Sequence, residues 1–83
     1  MDPVAQIWQR IEQVGPYFVA AYACPTGDLG EEYMGYFKVF PLRPHTYFDP
    51  GSVRGGFEKH RHESPEFALD FAMRAARASL EGR

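Results

Sequence analysis

Two segments, Tyr17 to Cys24 and Glu32 to Phe40, are apolar or aromatic at odd and even positions alike. A strand with one face in water alternates apolar with polar residues, and these do not. In the first segment Tyr17, Val19, Ala21 and Ala23 fall on one side, and Phe18, Ala20, Tyr22 and Cys24 on the other. In the second, Tyr33, Gly35, Phe37 and Val39 oppose Met34, Tyr36, Lys38 and Phe40. Pro16 and Pro25 bound the first strand. The turn-forming run Pro25-Thr26-Gly27-Asp28-Leu29-Gly30 joins it to the second, so the pair reads as a hairpin. Both faces of that hairpin need cover, and only 83 residues are at hand to supply it. Gly35, set among aromatic residues, offers bare backbone for a neighbouring ring to pack on.

The remaining segments supply the expected cover. Asp2 and Pro3 suit an N-cap and a first helical position. Val4, Ile7, Trp8, Ile11 and Val14 follow at offsets of three and four, and Gly15-Pro16 reads as a helix stop. A second helix is expected from Ser64 (cap), Pro65 and Glu66 onward. Its apolar residues, Phe67 to Leu80, cover most of the circumference, which predicts packing on two sides. Asp70–Arg74 and Arg77–Glu81 are spaced to pair along its polar stripe. Between the hairpin and this helix lie a proline-rich loop, Pro41 to Gly51, and a third strand, Ser52 to about His62. Gly55-Gly56 is expected to form a bulge in that strand. Its charged end, Glu58 to Glu63, suits an edge running into water. The expected fold is α+β: a three-stranded antiparallel meander with an N-terminal and a C-terminal helix, in the order α-β-β-β-α. Residues 1–83 make one domain. Trp8, Ile11, Phe37 and Phe71 are expected in its core.

Charge and cysteine content exclude several classes. Net charge is −2 and pI about 5.8, which disfavours binding to a phosphate backbone. The single cysteine, Cys24, leaves no internal disulfide and fits a reducing, cytoplasmic setting. Met1-Asp2-Pro3 does not begin a secretory signal, and no apolar run is long enough to span a bilayer. Seven Arg against two Lys, with abundant Ala, match the bias of a GC-rich bacterial genome.

The motifs that carry chemistry are sparse. His60 and His62 share a strand face with Glu58, but a zinc site needs a further ligand cluster that the chain lacks. No metal and no cofactor are expected. The order helix–strand–strand–strand–helix resembles that of the double-stranded-RNA-binding domain. That family grips phosphates with a basic cluster at the start of its second helix, where this chain reads Ser64-Pro65-Glu66-Phe67-Ala68-Leu69-Asp70. Cys24 has no activating base nearby in sequence, and Gly51-Ser52-Val53-Arg54-Gly55-Gly56 lacks the Gly-Lys-Ser/Thr ending of a phosphate loop. No catalytic residue is assigned. Candidate binding residues are Arg43, His45, Tyr47 and Phe48 in the long loop, with Arg54, Lys59 and Arg61 on the third strand; Arg and aromatic side chains dominate binding hot spots. The expected role is a non-catalytic interaction or accessory protein. Its expected partner is itself, as a symmetric homodimer that covers Phe18, Tyr22, Tyr36 and Phe40 or the opposite set, or else another protein; no membrane partner is expected. The alternative is a ligand- or nucleic-acid-binding module using the loop and the basic strand.

Overall fold

The computed structural model describes residues 8–81. Four strands, β1 (Trp8–Val14), β2 (Tyr17–Thr26), β3 (Glu32–Phe40) and β4 (Arg54–His62), form one antiparallel sheet in the order β1-β2-β3-β4. One helix, α1 (Pro65–Glu81), packs across a single face. The order is therefore β-β-β-β-α and not the expected α-β-β-β-α. The segment read as the end of an N-terminal helix is β1, and residues 2–7 of that expected helix lie outside the described residues. The likeness in element order to the RNA-binding domain lapses with it.

The reason lies in β2. An apolar strand needs hydrogen-bond partners on both edges as well as cover on both faces. β3 supplies one edge, and a helix cannot supply the other. In Trp8-Gln9-Arg10-Ile11-Glu12-Gln13-Val14 the apolar residues recur every third position, which suits a helix better than a strand, so pairing with β2 overrides the local pattern. Gly15-Pro16 is then a two-residue hairpin loop: Val14 pairs with Tyr17, and Gly15 sits at φ 61°. Glycine at the first loop position is what such a turn requires.

The helix side of the sheet is closely packed. Val19, Ala21, Ala23, Phe37 and Val39 lie under Ala68, Leu69, Ala72, Met73 and Ala76, all buried. Gly35 makes the close approach possible. A Cβ there would run into the Ala68 carbonyl oxygen and lie 3.0 Å from the Ala72 Cβ. Helix backbone, not the expected ring, covers it. The ring-over-glycine contact occurs instead at Gly56, where an added Cβ would lie 2.9 Å from Phe37 Cζ. Gly55-Gly56 pairs regularly with Lys38 and Phe37; the register of β4 breaks further along, where Glu58 opposes Gly35 but Arg61 opposes Met34, setting Lys59 and His60 out of the ladder.

The helix begins as expected, with Ser64 Oγ accepting from the Phe67 N–H at 3.1 Å. It packs on one side only. Its apolar breadth came from alanine, which tolerates exposure, and Phe67 stays 57% exposed. Its polar stripe reaches to β1 instead of pairing along the helix. Arg10 donates to Asp70 at 2.6 Å and Arg77 to Glu12 at 2.8 Å, while Arg74 lies over the Phe71 ring. Of the four expected core residues, Phe37 is buried; Trp8, Ile11 and Phe71 are half-buried, with Trp8 and Ile11 on opposite faces of β1. No helix among the described residues is long and apolar enough to cross a membrane.

Candidate functional site

The second sheet face carries the large rings. Phe18 and Tyr22 of β2 and Tyr36 and Phe40 of β3 lie on it, and the connection from Pro41 to Val53 folds over one end. A small turn stiffens that connection. Asp49 accepts from the His45 N–H at 2.7 Å, and Thr46 Oγ1 accepts from the Phe48 N–H at 2.8 Å. The backbone donation from His45, joined by the nearby His45 side chain and by hydrogen bonds from Thr46, holds the Asp49 carboxyl below its ordinary value against a smaller opposing effect of burial. The turn drives Tyr47 down onto the sheet, where its N–H donates to Gln9 Oε1 at 2.8 Å. Its ring stacks on Tyr22 with 5.1 Å between centroids, and Lys38 Nζ lies 4.5 Å from the centre of the Tyr47 ring. Burial pushes the Tyr47 and Tyr22 phenols above their ordinary values, and for Tyr22 a hydrogen bond with Cys24 adds to the rise.

The loop covers only part of this face. Ala20, Phe40 and Tyr47 are buried beneath or within it. Beyond them an aromatic row runs across the strands: Phe48 against Tyr22 (5.1 Å), Tyr22 against Tyr36 (6.3 Å), and Tyr36 against Phe57 (6.0 Å). Phe48 and Phe57, at its two ends, are 55% and 57% exposed. Register builds the row, since Tyr22 pairs with Tyr36 and Tyr36 with Phe57. Phe57 is the member the sequence reading missed. Its signal was available: placed opposite Tyr36, it extends an aromatic cross-strand pair by one strand.

The sequence-selected residues do not converge. Tyr47 and Phe48 join the aromatic cluster. Arg43 lies over the Phe18 ring, 4.9 Å from its centre, beside an open cavity of about 230 Å³ lined by Phe40, Leu42, Pro44 and Asp49. His45 is almost fully exposed, 3.6 Å from Asp49. Arg54 turns to the helix side and donates to Ser79 O at 2.8 Å, where a cation suits the helix C-terminus. Lys59 lies in the register break of β4. Arg61 is 3.5 Å from Glu32.

Glu58, His60 and His62 do come together. Glu58 Oε2 contacts His60 Nδ1, and Oε1 lies 2.9 Å from His62 Nε2. Desolvation raises the Glu58 carboxyl, but the hydrogen bonds from His60 and His62 outweigh it and hold it below the ordinary value. The His62 ring stacks on Phe71 at 4.7 Å, so this cluster ties β4 to α1. Among the described residues no group of three His, Cys, Asp or Glu side chains is arranged to hold a metal ion. Cys24 is half-buried, its thiol 3.5 Å from the Pro25 carbonyl oxygen. No family model matches the chain, and neither a curated protein nor a solved structure does.

Proposed function

We propose that this chain is a non-catalytic interaction protein that works as a homo-oligomer. The observation behind this reading is an unfinished sheet. One helix and one loop leave the row Phe48–Tyr22–Tyr36–Phe57 open at both ends. Among the described residues, the outer sides of β1 and β4 have no strand partner. Contiguous exposed aromatic surface and free strand edges are the two features that assembly removes. A twofold arrangement of identical chains is the commonest way to remove them. Sedimentation velocity at micromolar concentration tests the reading. A mass above that of the 9.5 kDa chain is expected; a clean monomer across the concentration range overturns it.

A second reading has one observation in its favour. The aromatic row, with Lys38 and Arg61 on the same side of the sheet, offers ring faces on which unpaired bases stack. Against it stand the net negative charge and the ion pair between Arg61 and Glu32. Titration with single-stranded RNA or DNA at rising salt separates the two readings. Salt-sensitive binding lost in Phe57→Ala supports the second.

A further inference from the structure

The two outer strands differ in how open they are. β4 carries devices that keep an edge from pairing: a register break at Lys59 and His60, and charged side chains from Glu58 to Arg61. β1 has seven residues, no proline and no bulge, and its ladder to β2 is unbroken from Trp8 to Val14. The hairpin loop fixes which groups face out. A two-residue turn bonds the Val14 carbonyl to the Tyr17 N–H, and the direction alternates along the strand. Gln9, Ile11 and Gln13 therefore present their backbone N–H and C=O groups away from β2.

We propose that β1 pairs antiparallel with β1 of a second copy about a twofold axis at Ile11, joining the two sheets into one. The proposal rests on the reading that the chain assembles with itself, and it names the contact. The strand is self-complementary about Ile11. Trp8 comes opposite the partner's Val14, Gln9 opposite the partner's Gln13, and Arg10 opposite the partner's Glu12. Directly opposed residues share a face and interact, opposite charges favourably and like charges unfavourably. Arg10 already holds Asp70 and Glu12 already holds Arg77 within the chain. Pairing joins these into a row of alternating sign that runs from one helix, over both β1 strands, to the other helix. Moving the axis to Arg10 or to Glu12 sets like charges against each other, so charge selects the Ile11 register. The side chains of Arg10 and Glu12 are 32% and 38% exposed, within reach of a partner. The helix packs on β2, β3 and β4 and least on β1.

A charge-exchange experiment tests the register. In Arg10→Glu the paired strands oppose acid to acid; in Glu12→Arg they oppose base to base. Each variant alone is expected to dissociate at least about tenfold more readily than wild type, by sedimentation velocity over a dilution series. Mixed in equal amounts, the two variants regain opposite charges at both positions and form a heterodimer within a few-fold of wild-type affinity. A folding defect in either variant cannot produce that rescue. A mixture that stays dissociated overturns the proposal. A wild-type dimer insensitive to both substitutions but dissociated by Phe57→Glu also overturns it, while the self-assembly reading stands. A monomeric wild type overturns both.

Discussion

The two faces of one sheet are covered in opposite ways. Under α1 the strands present Ala21, Ala23 and Gly35, and the helix answers with Ala68, Ala72 and Ala76. Under the connection from Pro41 to Val53 they present Phe18, Tyr22, Tyr36 and Phe40, and the loop answers with Tyr47 and Phe48. A helix has all its backbone groups bonded internally, so it can approach a sheet closely wherever small side chains permit. A loop must keep its polar backbone solvated. It stands off, and large rings fill the gap. The helix side is consequently the more closely packed, while on the loop side Phe48 and Phe57 stay exposed at the two ends of the aromatic row.

Substitutions on each face sharpen this contrast. The largest effect is expected at Phe37, which is 5% exposed and packs over Gly56. Phe37→Ala should cost about 3–5 kcal/mol in denaturant unfolding. Near-native stability would mean the helix side is not the dominant core. Next is Gly35→Ala, where one methyl group meets helix backbone. A cost of about 3 kcal/mol is expected, the upper end for overpacking, because a carbonyl oxygen cannot turn aside as a side chain can. A neutral outcome would show that α1 rides over β3 with slack.

Tyr47→Ala should cost less, about 2 kcal/mol, roughly the worth of burying one large side chain. Its signature should also be local. Hydrogen exchange is expected to quicken at the Val53 N–H, which donates to Val39 O at 2.8 Å, while the α1 amides stay protected. Equal loss of protection in both places would contradict the division between faces. The smallest effect is expected from Glu58→Gln, at the polar end of the helix side. The Glu58 carboxyl is lowered in the folded chain, so its stabilisation is present at neutral pH. It is lost as pH falls through the ordinary glutamate value, about 4.3, and below. Below that value the stability gap between wild type and Glu58→Gln should therefore narrow as pH falls; a gap that widens over this range would reverse the assignment.

The hairpin of β2 and β3 and the helix from Pro65 were legible because each has a local cause, whereas the end of β4 expected to run into water folds Glu58 and His62 against α1. Pro16 and Pro25, the Gly27–Gly30 turn and the Ser64 cap act on their own neighbours. β1 was misread because Trp8, Ile11 and Val14 satisfy helical spacing, whereas as a strand they divide between the two faces and leave no alternation to read. Gly15-Pro16 likewise ends a helix as readily as it turns a hairpin. The candidate residues Arg43, His45, Arg54, Lys59 and Arg61 share a chemical type. Which of them share a place depends on the register of β4 and on the path of the loop. The aromatic row was half visible in Tyr22 and Tyr36, and it became a row only once Phe57 was set opposite Tyr36.

By itself the sequence determined that β2 and β3 carry apolar side chains on both faces, because no polar residue alternates through Tyr17 to Cys24 and only Lys38 interrupts the inner stretch of β3. It also determined where the C-terminal helix begins. Tertiary structure alone decided that β2 takes its second strand partner from Trp8–Val14. It also decided that α1 covers one face and the connection from Pro41 to Val53 half of the other. The physical reason is that caps, turns and alternation act within a few residues, whereas an unpaired strand edge can be satisfied by any segment that reaches it. Which segment does so is a free-energy comparison over the whole chain, and in this chain it favours a short strand over the helix that the apolar spacing alone suggests.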